Sequence, residues 1–429
     1  MNENNELTAA QIKGKRNLYL FASAVGLLVL GLIYAWSIFS GPLAAFTGYA
    51  KGDLQVTFTF SMVFFCLGCL AGAFINKKLS VRGTLLVAAA LLAVGFAGTV
   101  LLGQASIYYI YVCYGVLCAT ACGIGYNTII ATVGVWFPDR TGFASGVMMM
   151  GFGLGSLILG SIVAKMIDPQ DPQAIGIQKT FYILAAVGFV VTAAIAALIR
   201  TAPPNIVKEM APQRLAAGNV DKPAIADDYV YKAPIFWVYV VFGMCAIAAG
   251  VTLIGSAKPG LEKVGGAVGV ITPTLFVGLF STLNGVSRVI VGTIYDKTSL
   301  KVAFFAIVVA GLLASSGLAG AYSTSMPLLY IVAGLLMGFS YGGIPVVAAA
   351  FAREGFGARL YPTNLATVNL TIALGAFLSQ AVISMTNPKN PANPESGTAA
   401  DLSVWLGIIA VSAVAFLAIA AFSMMYKKK

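Results

Sequence analysis

Residues 402–426 read LSVWLGIIAVSAVAFLAIAAFSMMY, with no Asp, Glu, Lys or Arg among them. As a helix rising ~1.5 Å per residue, such a run is about 38 Å long and crosses the ~30 Å hydrocarbon layer of a bilayer. Lipid offers no partner to a backbone N–H or C=O, so a run of this length without strand alternation is a helix. Working outward from it, the chain holds twelve apolar segments, over 17–46, 54–75, 84–104, 107–136, 142–165, 179–200, 234–256, 267–294, 302–322, 327–351, 361–386 and 402–426. Composition agrees: 59% of the 429 residues are apolar and only 10% charged, where a soluble domain carries about 25% charge. The expected fold class is an all-α membrane protein of twelve transmembrane helices. The first sixteen residues are polar, with Glu3, Glu6, Lys13, Lys15 and Arg16. The apolar run after them is too long for a signal peptide and no small-residue cleavage site closes it, so it is expected to stay as the first span.

The basic residues set an expected orientation. With both termini inside, the inner segments hold nineteen Lys and Arg, including Lys13, Lys15, Arg16, Lys77, Lys78, Arg82, Arg140, Arg200, Lys297 and Lys427 to Lys429. The outer segments hold six: Lys51, Lys165, Lys179, Lys258, Lys263 and Lys389. This bias places both ends in the cytoplasm of a cell whose inner membrane carries the chain. The net charge of +11 then faces anionic lipid headgroups, and no nucleic-acid partner is implied. The chain contains no histidine, which removes His-based triads, metal ligands and proton relays. It reads as a non-enzyme without cofactor or metal.

A polar stretch, residues 201–233, carries Pro203, Pro204, Pro212 and Pro223 and divides six spans from six. The expected organisation is a six-helix bundle over 1–200, a cytoplasmic linker over 201–233 and a second bundle over 234–429. The halves echo one another. Gly72-x-Phe74-x-Asn76-Lys77 resembles Gly292-x-Ile294-x-Asp296-Lys297 at an offset of 220; Phe137-x-Asp139-Arg140 resembles Phe351-x-Arg353-Glu354 at 214; Tyr126 and Tyr341 are 215 apart. A shared offset is the mark of a duplicated six-helix unit, and parallel repeats of this kind place a substrate site near the midplane.

One basic residue belongs to neither loop set. Arg288 falls inside the eighth span, while all fifteen acidic residues fall in loops or at span ends. A charged Arg at the bilayer centre costs ~3 kcal/mol on insertion scales, so it needs a polar cavity or a partner. Ser281, Asn284 and Arg288 stand at i, i+3 and i+7 and share one helix face. Asn284 can bond a guanidinium but cannot neutralise it, which points to a ligand carboxylate gripped bidentately. The competing reading is a structural Arg snorkelling to an interface roughly 9 Å away. A single buried cation suits a monocarboxylate better than a dicarboxylate, whose second charge would go uncompensated.

The stretch Trp136-Phe137-Pro138-Asp139-Arg140-Thr141-Gly142-Phe143-Ala144-Ser145-Gly146 closely resembles the corresponding loop of the oxalate/formate antiporter family. So do Tyr34-Ala35-Trp36 with Pro42, Gly151-Phe152-Gly153-Leu154-Gly155, and Arg288 with Asp296-Lys297. With six plus six helices around a central loop, the chain is identified as a member of the major facilitator superfamily, similar in turn to the animal monocarboxylate transporters. The resemblance implies a secondary transporter working by alternating access, with Arg288 binding the substrate carboxylate. It also implies that Tyr34, Tyr126 and Tyr341 are pocket tyrosines beside Asn284. Phe152 stands where that family has a tyrosine and Asn76 where the superfamily has an Asp. Val368 to Ala373 lacks the second buried cation, a Lys, of the oxalate carriers. The expected partners are a small monocarboxylate anion such as lactate or pyruvate, a proton and the lipid bilayer, the chain acting as a monomer. Span one has no Lys at Trp36-Ser37-Ile38-Phe39-Ser40, and the Asp that precedes the Arg in the animal relatives is Asn284. No protein group at membrane depth is left to carry a proton, so the proton travels with the substrate carboxylate or through water near Arg288; on that reading proton symport is ranked first and carboxylate exchange second.

Three further signals have plain readings. Cys66-x-x-Cys69 lies in an apolar span and reads as small buried hydrophobes. The glycines at 151, 153 and 155 read as close helix packing. Trp136, Trp237 and Trp405 read as interface residues, and Pro273 and Pro345 as bends within spans eight and ten.

Overall fold

The computed structural model describes residues 7–49, 51–167, 175–212, 223–388 and 399–426. Glu3, Glu6, Arg214, Lys222, Lys389, Lys427 to Lys429 and the middle of the expected linker lie outside the described residues. Among the described residues there is no strand, only a bridge between Val268 and Ile271. Eleven helices among the described residues are long and apolar enough to cross a bilayer. One of them, within Lys51–Leu102, is two spans joined at Ser80, whose φ of 67° and ψ of 169° break the helix. Twelve spans result.

In order they are Ala9–Leu30 continued by Gly31–Ala35 and Trp36–Thr47, 51–79 and 81–102, Ile107–Gly134, Thr141–Ile167, Gly176–Leu198, Pro234–Lys263, Pro273–Lys297, Leu300–Thr324, Pro327–Phe356, Tyr361–Thr386 and Leu402–Met425. The first helix starts well before the expected residue 17, because Thr8 and Gln11 form a capping box that closes the orphan N–H groups of its first turn. The eighth starts later than expected. Gly266 and Gly269, at φ 78° and 57°, turn the chain through the Val268–Ile271 bridge. The Thr272 hydroxyl then caps Leu275 N–H at 3.1 Å. Pro273 is thus the first helical residue and bends nothing, its missing N–H costing nothing there. Pro345 does lie within its helix.

The chain divides into two compact units. The first is Met1–Lys222 with Leu360–Thr367; the second is Pro223–Arg359 with Val368–Lys429. The eleventh span is accordingly interrupted: it runs helical over Tyr361–Asn369, breaks at Leu370 and resumes over Thr371–Thr386.

In the first unit the first and fifth spans cross at backbone contact. A Cβ on Gly151 would meet the Ala24 carbonyl oxygen at 2.2 Å, and one on Gly155 the Leu28 oxygen at 2.3 Å. Lipid supplies no hydrophobic drive between helices, so such small-residue approaches carry association through dispersion. Trp136 and Trp405 are buried rather than set in an interface belt; only Trp237 is exposed. Trp136 donates its indole N–H to the Arg200 carbonyl at 2.9 Å and packs edge-on to Tyr19. Burying that indole requires such an acceptor. In the second unit the linker's later part docks on the end of Pro327–Phe356, with Ala224 and Ile225 N–H bonded to the Glu354 and Gly355 carbonyls at 2.9 Å. Arg359 clamps Asp227 beside it at 3.0 Å.

Candidate functional site

Arg288 lies nine residues before the end of Pro273–Lys297, roughly 14 Å along the axis at ~1.5 Å per residue. It is 6% exposed. A full turn earlier on the same face, Asn284 accepts a long hydrogen bond from Arg288 Nη2 at 3.5 Å. The Asn284 backbone carbonyl accepts the Ser287 hydroxyl at 3.0 Å. Gly342 of the tenth span presses onto this turn: a Cβ there would meet Ser287 Oγ at 2.0 Å and the Asn284 oxygen at 2.1 Å. The neighbouring residue, Tyr341, lays its ring against Gly250, where a Cβ would meet Cδ2 at 2.2 Å. The second unit therefore joins Arg288 to Asn284 and packs the turn of the tenth span that carries Tyr341 against them through Gly342.

The other two candidates belong to the first unit, where they share a partner. Tyr34 sits on the 3-10 turn Gly31–Ala35 and Tyr126 in the helix Ala119–Gly134. Both rings meet Phe152 edge-on, at 5.4 Å and 4.9 Å between centroids. Phe65 completes the group, 5.4 Å from Tyr126 and 5.5 Å from Phe152. Edge-on aromatic pairs contribute ~0.5–1.5 kcal/mol each beyond their burial, so Phe152 is the hub that fixes both phenols. Asn127, beside Tyr126, donates to the Pro362 carbonyl at 3.0 Å and so ties the fourth span to the eleventh.

Some polar groups escaped sequence reasoning. Arg16 is buried at 6% exposure, donates to Asp139 Oδ1 at 2.7 Å and lies over the Phe137 ring. Its position among solvated lysines gave no hint, and Asp139 was already matched in sequence by its neighbour Arg140, which pairs with its other oxygen at 3.1 Å. Glu354 accepts the hydroxyls of Tyr295 and Tyr426 at 2.8 Å, one on each carboxylate oxygen. At the other end of the second unit, Asp401 caps Leu402–Met425. Burial raises its pKa, but the Ser403 hydroxyl and N–H, with Lys263 at 3.4 Å, hold the carboxyl below its ordinary value. All six cysteines are buried and none forms a disulfide. Among the described residues no group of three or more His, Cys, Asp or Glu could hold a metal.

The family model for the Major Facilitator Superfamily matches residues 11–380. An uncharacterised transporter of that type from Escherichia coli (strain K12), YhjX, is 26% identical over 379 residues, covering 86% of this chain and 88% of that protein. The oxalate:formate antiporter of Oxalobacter formigenes is 25% identical over 286 residues, covering 66% of this chain and 64% of its own length. Monocarboxylate transporter 12-B of Danio rerio is 31% identical over a shorter stretch of 97 residues, 23% of this chain and 20% of that one. In three dimensions the chain resembles the fucose:proton symporter of E. coli, with a TM-score of 0.65 at 12% identity, covering 95% of this chain and 99% of that one. It also resembles a proton:xylose symporter, at 0.67 and 13%, covering 97% of each. These structural likenesses speak to the fold.

Proposed function

The chain belongs to the Major Facilitator Superfamily, and from that premise we propose that it carries small monocarboxylate anions of the lactate or pyruvate kind across a bacterial inner membrane. The observation that carries the reading is the guanidinium of Arg288, buried deep in the eighth span with a neutral amide, Asn284, at 3.5 Å. A desolvated guanidinium offers a carboxylate two parallel charge-assisted bonds that water at the same depth cannot match. Curated relatives named for oxalate, formate and monocarboxylates handle the same functional group.

In this reading Arg288 binds the carboxylate and Asn284 holds the guanidinium plane. The Tyr341 hydroxyl, on the neighbouring helix, meets an α-oxygen. Tyr34 and Tyr126, fixed by Phe152 in the first unit, supply further contacts whose ring faces suit a short apolar substituent. Transport proceeds by alternating access of two six-helix bundles, with both termini cytoplasmic and a proton moving with the substrate. Carboxylate exchange is the second reading, favoured by Asn284: a neutral neighbour leaves the Arg288 charge in place, and returning a cation without its anion through the membrane is costly.

The test is uptake of labelled L-lactate into proteoliposomes, with and without an inward proton gradient, beside Arg288→Gln. Uptake into empty vesicles that rises with the gradient and vanishes in the variant supports symport. Uptake only into vesicles preloaded with a carboxylate supports exchange. No lactate uptake in either format overturns the lactate assignment.

A further inference from the structure

Two irregular stretches within spans of the first unit, one in the first span and one in the fourth, face one another. The first span loosens into a 3-10 turn over Gly31–Ala35, ending at Ala35 with φ −81° and ψ 14°. The fourth span widens into a π-helical stretch over Tyr111–Cys118. Mid-helix departures of either kind concentrate at functional places, because they displace the ladder of hydrogen bonds and must be supported from outside. In a bilayer that support cannot be water.

The support comes from the fourth span. Tyr114, in the π stretch and fully buried, donates its hydroxyl to the Ile33 carbonyl at 3.3 Å. One turn beyond that stretch, the Cys122 thiol reaches the Leu30 carbonyl at 3.3 Å. The Tyr114 ring cannot swing away, since Trp36 lies 4.6 Å from it and Phe39, Phe96 and Phe181 close the other sides at 6.0–6.4 Å. On the far side of the turn, a Cβ on Gly31 would meet the Phe152 carbonyl oxygen at 2.1 Å. The turn is held from two sides, and the residue after Ile33 is Tyr34.

We propose that Tyr114 is a positioning residue: its hydroxyl fixes the 3-10 turn through the Ile33 carbonyl and so sets the direction of the Tyr34 phenol. The proposal rests on the reading that Tyr34 contacts the transported anion, and it explains why the π stretch is placed where it is. Without the widened turn, Tyr114 would stand about 100° round the helix from its present direction. Tyr114 does not touch substrate. Its effect passes through Tyr34.

Tyr114→Phe keeps the ring and deletes only the donor. Losing one buried bond of this kind is expected to raise the KM for lactate about fivefold, with Vmax per folded carrier within about twofold of the parent. In a Tyr34→Phe background the same change should add nothing, because its route is gone. A second measurement needs no substrate. In a Tyr34→Cys carrier, whose native cysteines are all buried, Tyr114→Phe should change the rate of maleimide labelling about threefold. If Tyr114→Phe alters KM equally with and without Tyr34→Phe, or leaves the labelling rate unchanged, the positioning role is overturned. If wild type takes up no carboxylate but labelling responds, the transport reading has failed and the positioning role stands.

Discussion

Gly342→Ala is a single methyl placed where the second unit has no room for it. Its Cβ would stand 2.1 Å from the Asn284 carbonyl oxygen and 2.0 Å from Ser287 Oγ, where ordinary contact begins near 3.4 Å. The Ser287 hydroxyl can rotate aside, but the Asn284 oxygen is backbone and moves only with its helix. The eighth and tenth spans must therefore part by about 1.3 Å at the turn that carries Asn284 and Arg288. Forcing a methylene into a close-packed contact costs ~1–3 kcal/mol. For a unit of roughly 200 residues, ~2 kcal/mol corresponds to about 4–8 °C in melting temperature. The assay is fluorescence-detected size exclusion of detergent-purified carrier after graded heating, with Gly278→Ala as control, since nothing lies within 4 Å of a Cβ there. Ser287→Ala should not rescue the variant, because the backbone oxygen remains. The displaced guanidinium should also lose most of its uptake, since misplacing a binding group by ~1 Å can cost on the order of a hundredfold. A Gly342→Ala carrier melting within a degree of Gly278→Ala would refute the packing argument.

The remaining predictions concern the chain's joints. Ser80 holds φ 67° and ψ 169°, a conformation tolerated by glycine alone, so Ser80→Gly should raise the melting temperature by relieving ~1–3 kcal/mol of strain, less the glycine entropy cost. Asp139→Asn leaves the Arg16 guanidinium, 7% exposed, without its counter-charge; with Asp139 a quarter exposed, about 2 kcal/mol of destabilisation is expected in a chemical melt, below the full cost for a wholly buried pair. Asp401 has its folded pKa lowered from the ordinary 3.8; its contribution is therefore fully present above the unfolded pKa and lost as pH falls through the folded one. Melting temperature followed from pH 6 down to roughly pH 3 should fall less steeply in Asp401→Asn than in wild type; parallel curves would contradict the assignment.

The spans were legible because lipid is an unforgiving solvent: twenty apolar residues in a row have few other uses. Helix ends are written in local capping chemistry, as the Thr8–Gln11 box and Thr272-Pro273 show, and apolar patterning alone sets those two boundaries elsewhere. Arg288 joins Asn284 as helical periodicity requires, and Gly342 packs the turn that carries Tyr341 against them. The break at Ser80 falls in the charged gap between the expected segments 54–75 and 84–104, whereas the sequence carries no local trace of the 3-10 turn at Gly31–Ala35 or the π stretch at Tyr111–Cys118. The 3-10 turn is held from outside, by a backbone crossing at Gly31 and by donors on the fourth span. Trp136 and Trp405 were misread for a related reason: proximity to a span end places an indole near the interface but does not say whether it turns to lipid or inward.

Asn284 is where the choice between symport and exchange can be put to the chain itself. Its Oδ1 stands 3.5 Å from Arg288 Nη2, so Asn284→Asp places a carboxylate beside the guanidinium with almost no change in shape. Two unit charges at that distance attract by about 5 kcal/mol at an effective dielectric near 20, part of which is spent on desolvating the new anion. The substrate must then compete with a built-in carboxylate for the same cation. An increase in KM of about tenfold or more corresponds to only ~1.4 kcal/mol of that attraction. The second consequence concerns the empty carrier. With its charge compensated from within, Arg288 can return without an anion, and uptake that depended on a preloaded carboxylate should lose that dependence. If wild type is an exchanger and Asn284→Asp still requires preloading, the charge on Arg288 is not what forbids the empty return. If KM is unmoved, the carboxylate of the substrate does not bind at Arg288.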